Sequence, residues 1–488
     1  MADRFYPILG EAKLFKLNTS SDKPKLNHWY VDAAANGSSI DLRLTQFGSL
    51  QRIDACSIKA LDELEKLIPH KIDRDNQSNN AFTRMFNGSF VFQKSSKLYD
   101  LRRKYILNIL STNFCSTHIE TILNAIDTKI DQIEVGDHVN FNDILKMTSF
   151  SIMCKILFGS DFEENKPKGL YINPETFEES YLGFDEMYYK ISRDELRFYT
   201  GTVGNLLPTL AYNNLINPFR TSQKNINEAR RVILEFCRNS SDKKSIFNVL
   251  KSRSSAEFKE SDEVNQDWIS DEECVMDAML MLFAGYDSVS YSIISLLYQL
   301  KMNPSKLAKL KMALEESRIF EVDKLEVNEL KDSYQNWDYL YYCIKEGLRI
   351  DCPTLGSLFY RTLDKITICG VPIEKGEIVT KNTLYPHYNP AYYHKPFEFI
   401  PERFDPDSKY FSVPGSKSPR DPKWYNPFGV GLRNCVGQTL AKLESKVILS
   451  RLITRIDFNL DQDIAANEFM RFNLVQDSVL RGRITYKN

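Results

Sequence analysis

The chain has 488 residues, 42% of them hydrophobic, and 63 Lys and Arg stand against 65 Asp and Glu, a net charge of −2. That balance excludes the basic footprint of a nucleic-acid-binding protein, and the hydrophobic share supports a large core. The nine cysteines are odd in number, scattered and never spaced CxxC, which excludes a disulfide framework and a zinc cluster and fits a reducing compartment. The opening MADRFYPILGEAKLFKLN holds no apolar run of signal-peptide or membrane-spanning length, so residues 1–39 are expected to be a lead segment ahead of the folded part, 40–488. Residues 40–53 alternate apolar and polar and predict a strand, a turn and a second strand. A helix is expected from Ser57 to Ile68, then helical spacing over 97–133 and 140–158, the latter stopping at Gly159. Ser222 is a candidate N-cap for a helix to Cys237, and a long helix is expected from Asp271 to Leu300. Residues 365–380, β-branched around Gly370 and Gly376, read as a hairpin. Helices outnumber strands, so the fold class is mainly α with a small β region.

The most specific stretch is Phe428–Gly437, FGVGLRNCVG, followed at once by a helical pattern from Gln438 to about Ile456. A cysteine at a helix mouth faces unpaired backbone N–H groups and the positive end of the helix dipole, both of which favour thiolate. Gly429, Gly431 and Gly437 let the backbone turn tightly and leave room for something bulky and flat. Arg433 offers a fork of donors for a carboxylate or phosphate. A thiolate, a flat partner and a carboxylate anchor suggest haem with Cys435 as axial ligand. The plain alternative is a structural buried cysteine beside a glycine-rich turn.

This stretch resembles the cysteine-ligand loop of the cytochrome P-450 family of haem-thiolate monooxygenases, in particular eukaryotic microsomal members. The resemblance runs over roughly residues 40 to 485 and is strongest after 270. It implies that family's fold, a large helical domain with an N-terminal β sheet. It implies haem b held by Cys435 and Arg433, with Phe428, Gly429 and Gly431 shaping the loop. Glu346 and Arg349 supply the family's ExxR pair, and Arg403, in FEFIPERF, completes an expected structural triad. Glu228 and Arg231 are a second ExxR copy at the wrong position in the chain. Tyr99 and Arg103 sit where the family carries W-x-x-x-R, with Tyr in the Trp position, so both become candidate haem ligands; Arg361 resembles another propionate arginine. An ordinary basic helix face explains the segment around Tyr99 almost as well.

Ala284-Gly285-Tyr286-Asp287-Ser288 lies inside the long helix, where 284, 287 and 288 share a face. Ala284 and Gly285 leave a shallow groove, and Asp287 and Ser288 place an acid and a hydroxyl beside it. In the resembling family this pair carries protons to dioxygen (O2) at the iron; here Ser stands where Thr is usual. No GxGxxG fingerprint in a strand–turn–helix setting occurs, so a separate redox partner is implied, an NADPH-dependent flavoprotein reductase by resemblance. Lys442, Lys446, Lys423 and Arg420 offer a basic docking face or merely a solvated one. Residues 195–218 are apolar and aromatic, which fits a lipophilic small-molecule substrate and peripheral membrane contact as well as it fits core packing. The chain starts about where a membrane anchor and hinge would end in microsomal relatives, so a cytoplasmic location and a peripheral one on the endoplasmic reticulum both stand. The readings weighed against a monooxygenase are a haem-thiolate isomerase or dehydratase and a non-catalytic haem-binding sensor.

Overall fold

The computed structural model describes residues 40–47, 50–75, 84–200, 213–240, 242, 245–256, 269–316, 338–354, 356–382, 384–461, 469–472, 475–478 and 480–487. The lead segment 1–39 and the middle of the apolar stretch, 201–212, lie outside them. The helices in chain order are α1 (Ile58–Leu67), α2 (Lys97–Ile109), α3 (Thr112–Ser116), α4 (Ile119–Asp131), α5 (Phe141–Phe158), α6 (Phe184–Thr200), α7 (Phe219–Asn239), α8 (Ile246–Ala256), α9 (Asp271–Met302), α10 (Pro304–Glu316), α11 (Asp338–Ile350), α12 (Leu384–Tyr388) and α13 (Gln438–Arg455). The strands that position the site are β1 (Leu42–Phe47), β2 (Leu50–Ala55), β3 (Ile72–Arg74), then, past three outlying strands β4 (His138–Asn140), β5 (Lys168–Ile172) and β6 (Glu179–Gly183), β7 (Tyr360–Thr362), β8 (Ile366–Ile368), β9 (Val371–Ile373) and β10 (Ile378–Lys381).

Local signals explain most of these boundaries. Ser270 and Glu273 form a reciprocal capping box at the start of α9, with acids in its first turn, and the helix stops at Asn303 ahead of Pro304. Apolar residues on nearly every side of α9 make it a core element, and by length and composition it could also cross a membrane; 78% of its most apolar window is buried inside the fold. Gly159 closes α5 with φ +120°. The helical spacing over 97–133 is carried by three helices, and between α3 and α4 Ser116 and Thr117 turn their hydroxyls onto the carbonyls of Asn113 (2.9 Å) and Phe114 (2.7 Å) and so compete with the helical ladder. One expectation is corrected. Ser222 is inside α7, not at its cap; Pro218, preset near the helical φ, precedes the first turn, and buried Ser222 donates to Glu195 instead.

The expected strand–turn–strand is β1 and β2, which pair antiparallel. They belong to a five-stranded sheet of order β1-β2-β10-β7-β3, with β10 parallel to β2. The expected hairpin at 365–380 is shorter than its sequence pattern: β8 and β9 turn at Cys369 (φ 49°) and Gly370 (φ 79°), and β10 leaves to join the main sheet. A small core of Ala60, Leu61, Leu64, Ile72, Tyr360 and Val379 joins α1 to this sheet, while the main core surrounds α9.

Candidate active site

Backbone geometry fixes the cysteine loop before any side chain is considered. Gly429 (φ +76°) and Gly431 (φ +74°) take left-handed turns, and the N–H of Cys435 donates to Phe428 O at 2.9 Å. A Cβ at Gly431 would fall on the Glu65 carboxylate, and the left-handed φ there strains any side chain. The chain then enters α13 at Gln438. Cys435 is the one cysteine of the nine that is exposed, and its surface opens into an internal cavity of ≈ 380 Å³. Burial by the surrounding protein pushes its thiol up, against the pull of the Gly437 N–H and the charges of Arg103 and Lys442. The helix-mouth effects therefore have the expected sign, but burial outweighs them; a coordinated metal ion is what takes a thiol to thiolate.

The same cavity is lined by Phe428, Gly429, Ala284, Gly285, Asp287 and Ser288. Ser288 Oγ donates to Ala284 O at 2.6 Å. Asp287 is nearly buried, with Oδ1 3.2 Å from Nζ of buried Lys146 on α5. Gly285 has a packing role as well as a place in the wall. A Cβ there would meet Met153 Sδ at 2.6 Å, so the missing side chain lets α5 approach α9.

A cationic cluster made by elements far apart in sequence also lines the cavity: Arg74 at the end of β3, Lys381 at the end of β10, and Arg433. Arg433 stacks on the Tyr99 ring, 3.5 Å from its centre, and donates through Nη2 to Ser95 Oγ (2.8 Å) and Asp73 Oδ1 (3.3 Å). Arg74 lies over Tyr360 at 4.4 Å, and Lys381 over the same ring at 4.8 Å. Burial raises the Tyr360 phenol, but the charges of Arg74 and Lys381 outweigh it and hold it below its ordinary value. Lys381 also pairs with Glu65. Arg74 Nε and Arg433 Nη1 are buried with no hydrogen-bond partner among the described residues. A buried guanidinium N–H left unmatched is costly, so these donors fit an anion that enters the cavity.

The remaining candidates divide. Tyr99 and Arg103 do line the cavity; Arg103 Nη2 donates to Asn434 O at 2.9 Å and the Tyr99 hydroxyl is 3.5 Å from Leu432 O. Arg361 is not brought there. Strand side chains alternate faces, and because its neighbour Tyr360 lines the cavity, Arg361 turns to the other side, onto Asp75 (3.1 Å) and Gly376 O (2.6 Å). The basic docking face is also smaller than expected. Arg420 is spent on the carbonyls of Tyr410 and Arg403, Lys423 pairs with Asp62 at 2.7 Å, and Lys442 and Lys446 are half-buried over Phe428 and Tyr341.

Behind the loop, fully buried Glu346 holds Arg349 (2.8 Å), Arg403 (3.0 Å) and the N–H of Ile400 (2.9 Å). Arg349 in turn donates to the carbonyls of His387 and Pro396, which ties α11 to the segment before the cysteine loop. The other ExxR copy, Glu228 with Arg231, is an ion pair on the surface of α7.

A family model described as cytochrome P450 matches residues 60–480. The chain belongs to the cytochrome P450 family. Its fold matches the crystal structure of the cytochrome P450DA haem domain at a TM-score of 0.71 and 16% identity, over 99% of this chain and 96% of that one. Rat cytochrome P450 3A9 is 26% identical over 73% of this chain and 67% of its own, and lithocholate 6-beta-hydroxylase of Mesocricetus auratus 27% identical over 78% and 73%. A probable mitochondrial cytochrome P450 12b2 of Drosophila melanogaster is 36% identical over 37% of this chain, and the match spans only about a third (32%) of that relative's length. P450 membership implies a haem cofactor. The site fits haem on its own terms: a cavity-facing sulfur, a glycine-shaped loop and unpaired buried guanidinium donors suited to carboxylates.

Proposed function

We propose that this P450 is a haem-thiolate monooxygenase that places one atom of O2 into a lipophilic organic substrate. The observation that carries this reading is the single cavity onto which Cys435, the Ala284–Ser288 stretch of α9 and the Arg74–Lys381–Arg433 cluster all open. These residues would hold haem b, which would supply the activation of dioxygen there. The overall balance consumes two electrons and two protons, and the second oxygen atom leaves as water.

The chain's own residues do the rest. Cys435 Sγ would hold the haem iron and donate electron density to it. Arg433, Arg74 and Lys381 would hold the two propionates, with Arg103 and Tyr99 bracing the loop from α2. Ala284 presents no side chain beyond Cβ to the cavity, which would leave room for a diatomic. Asp287 Oδ and Ser288 Oγ would hold and pass protons there. Phe90, Phe92, Leu157, Leu280, Phe283 and Leu358 give the cavity an apolar wall, which excludes water and favours a lipophilic substrate. Electrons would come from a separate NADPH-dependent flavoprotein reductase. Residues 40–488 would form the catalytic domain and 1–39 its lead, with peripheral contact to the endoplasmic reticulum membrane as the source of substrate.

The test is the carbon-monoxide difference spectrum of the dithionite-reduced protein beside Cys435→Ser. The red-shifted Soret band of a thiolate-ligated haem is expected in the wild type and absent in the variant. A histidine-type band in the wild type, or folded protein that takes up no haem, would overturn the reading.

A further inference from the structure

Arg102 and Arg103 are neighbours on α2 and reach in different directions. Arg103 donates into the cysteine loop at Asn434 O. Arg102 is wholly buried and turns to α9, where it donates to Asp277 Oδ2 through Nε (3.0 Å) and Nη2 (2.7 Å) and to Glu273 Oε1 through Nη1 (3.2 Å). The other oxygen of Asp277 accepts the N–H of Phe90 at 2.8 Å, and Arg102 Nη2 also donates to Gly88 O at 3.2 Å. Asp277 is itself buried. Burial raises its carboxyl to about 6 against the pull of Arg102, which leaves it charged at neutral pH.

This pair holds a piece of the cavity wall. Phe90–Phe92 is a single 3-10 turn, and Ser89 before it makes no side-chain capping bond among the described residues. So short a turn has little stability of its own, and its first N–H needs an acceptor from elsewhere in the fold. Asp277 supplies that acceptor. Phe90, Val91 and Phe92 all line the cavity, and Phe90 stacks on Tyr99 with ring centres 6.3 Å apart. Just upstream, Arg230 of α7 donates to Met85 O at 2.7 Å, so the chain enters the turn from a second fixed point.

Asp277, Met281, Ala284 and Ser288 follow one another at i+4, i+3 and i+4 and share a face of α9. Asp277 thus stands two helical turns, about 10 Å along the axis, from Ala284. A buried ion pair adds little to stability over apolar side chains of the same size, so what this one contributes is placement.

We propose that Asp277 is a positioning residue for substrate selection, which with Arg102 pins the Phe90–Phe92 turn against α9 and so fixes the size of substrate that the space over Ala284 admits. The inference rests on the monooxygenase reading, in which that space takes the substrate.

Two measurements on the haem-loaded protein test it. The first is amide hydrogen exchange in the wild type. The Phe90 N–H is expected to exchange at least about 100-fold more slowly than an open loop amide. Free exchange there overturns the proposal, whether or not any variant folds. The second compares the wild type with Arg102→Met/Asp277→Leu, which removes both charges together and keeps the volume filled. Binding of imidazole and of 4-phenylimidazole is read from the shift of the Soret band. The double variant is expected to keep the thiolate-type carbon-monoxide band and to exchange at Phe90 about 10-fold or more faster. Its imidazole affinity should stay within about two-fold of wild type, while the preference for 4-phenylimidazole over imidazole rises about five-fold or more. Asp277→Asn, which keeps the shape and an acceptor for Phe90, is expected to fall between the two. A wild-type preference in both variants would refute the selection role, as would an equal loss of affinity for both ligands. Absence of the thiolate band in the wild type would refute the underlying reading instead.

Discussion

Arg74, Lys381 and Arg433 carry the same charge into one cavity but are partnered differently. Glu65 balances Lys381, whereas Arg74 Nε and Arg433 Nη1 keep donors unmatched among the described residues. A charge-assisted hydrogen bond contributes roughly 1.5–3 kcal/mol, which is about 10- to 100-fold in affinity. Arg74→Met and Arg433→Met are each expected to weaken haem retention by that factor, read as the rate and extent of haem transfer to excess apomyoglobin. Arg361→Met is the internal control. Its guanidinium is committed to Asp75 on the far face of the sheet, so retention should stay within about two-fold of wild type. A large loss there would mean that the strand register assigned to β7 is wrong.

At the scale of elements, α9 is the scaffold on which the distal wall is built, and α5 is the helix that fixes its height. Their approach depends on Gly285, since Met153 occupies the volume a Cβ would need. Overpacking of this kind costs about 1–3 kcal/mol. Gly285→Ala should lower the urea midpoint accordingly, and the same change in a Met153→Ala background should cost less, because the clash is gone. Equal costs in both backgrounds would place the strain elsewhere. Lys146 rides on the same helix, so any shift of α5 also moves the partner of Asp287.

For the molecule as a whole, the link between α11 and the segment before the cysteine loop passes through Glu346. Its carboxylate serves two arginines and a backbone N–H with no exposure to solvent. Removing one member of such a buried cluster leaves charge uncompensated, at about 3–5 kcal/mol. Glu346→Ala should therefore show a urea midpoint well below wild type and little bound haem. Arg231→Ala, which removes the surface copy of the same four-residue pattern, should change stability by no more than about 0.5 kcal/mol. The two variants separate a motif that is buried from one that is only spelled the same way.

The features legible in the residues alone are local ones. The turn at Gly429 and Gly431, the cysteine entering a helix, the capped start of α9 and the spacing of Ala284 to Ser288 are all set by residues within a few positions of one another, whose φ preferences and helical period are intrinsic. The ExxR pair was legible only with Arg403 beside it, because two charged residues at helical spacing occur on any surface helix. Tertiary structure decided the rest. Arg74 and Lys381 reach the cavity because β3 and β10 flank β7 in the sheet, a pairing no short window of sequence encodes. Arg361 misses it by the alternation of a strand whose register is set by its neighbours. Lys146 becomes part of the site because α5 packs where it does, and a lone Lys on an apolar helix gives no sign of what it will face once buried.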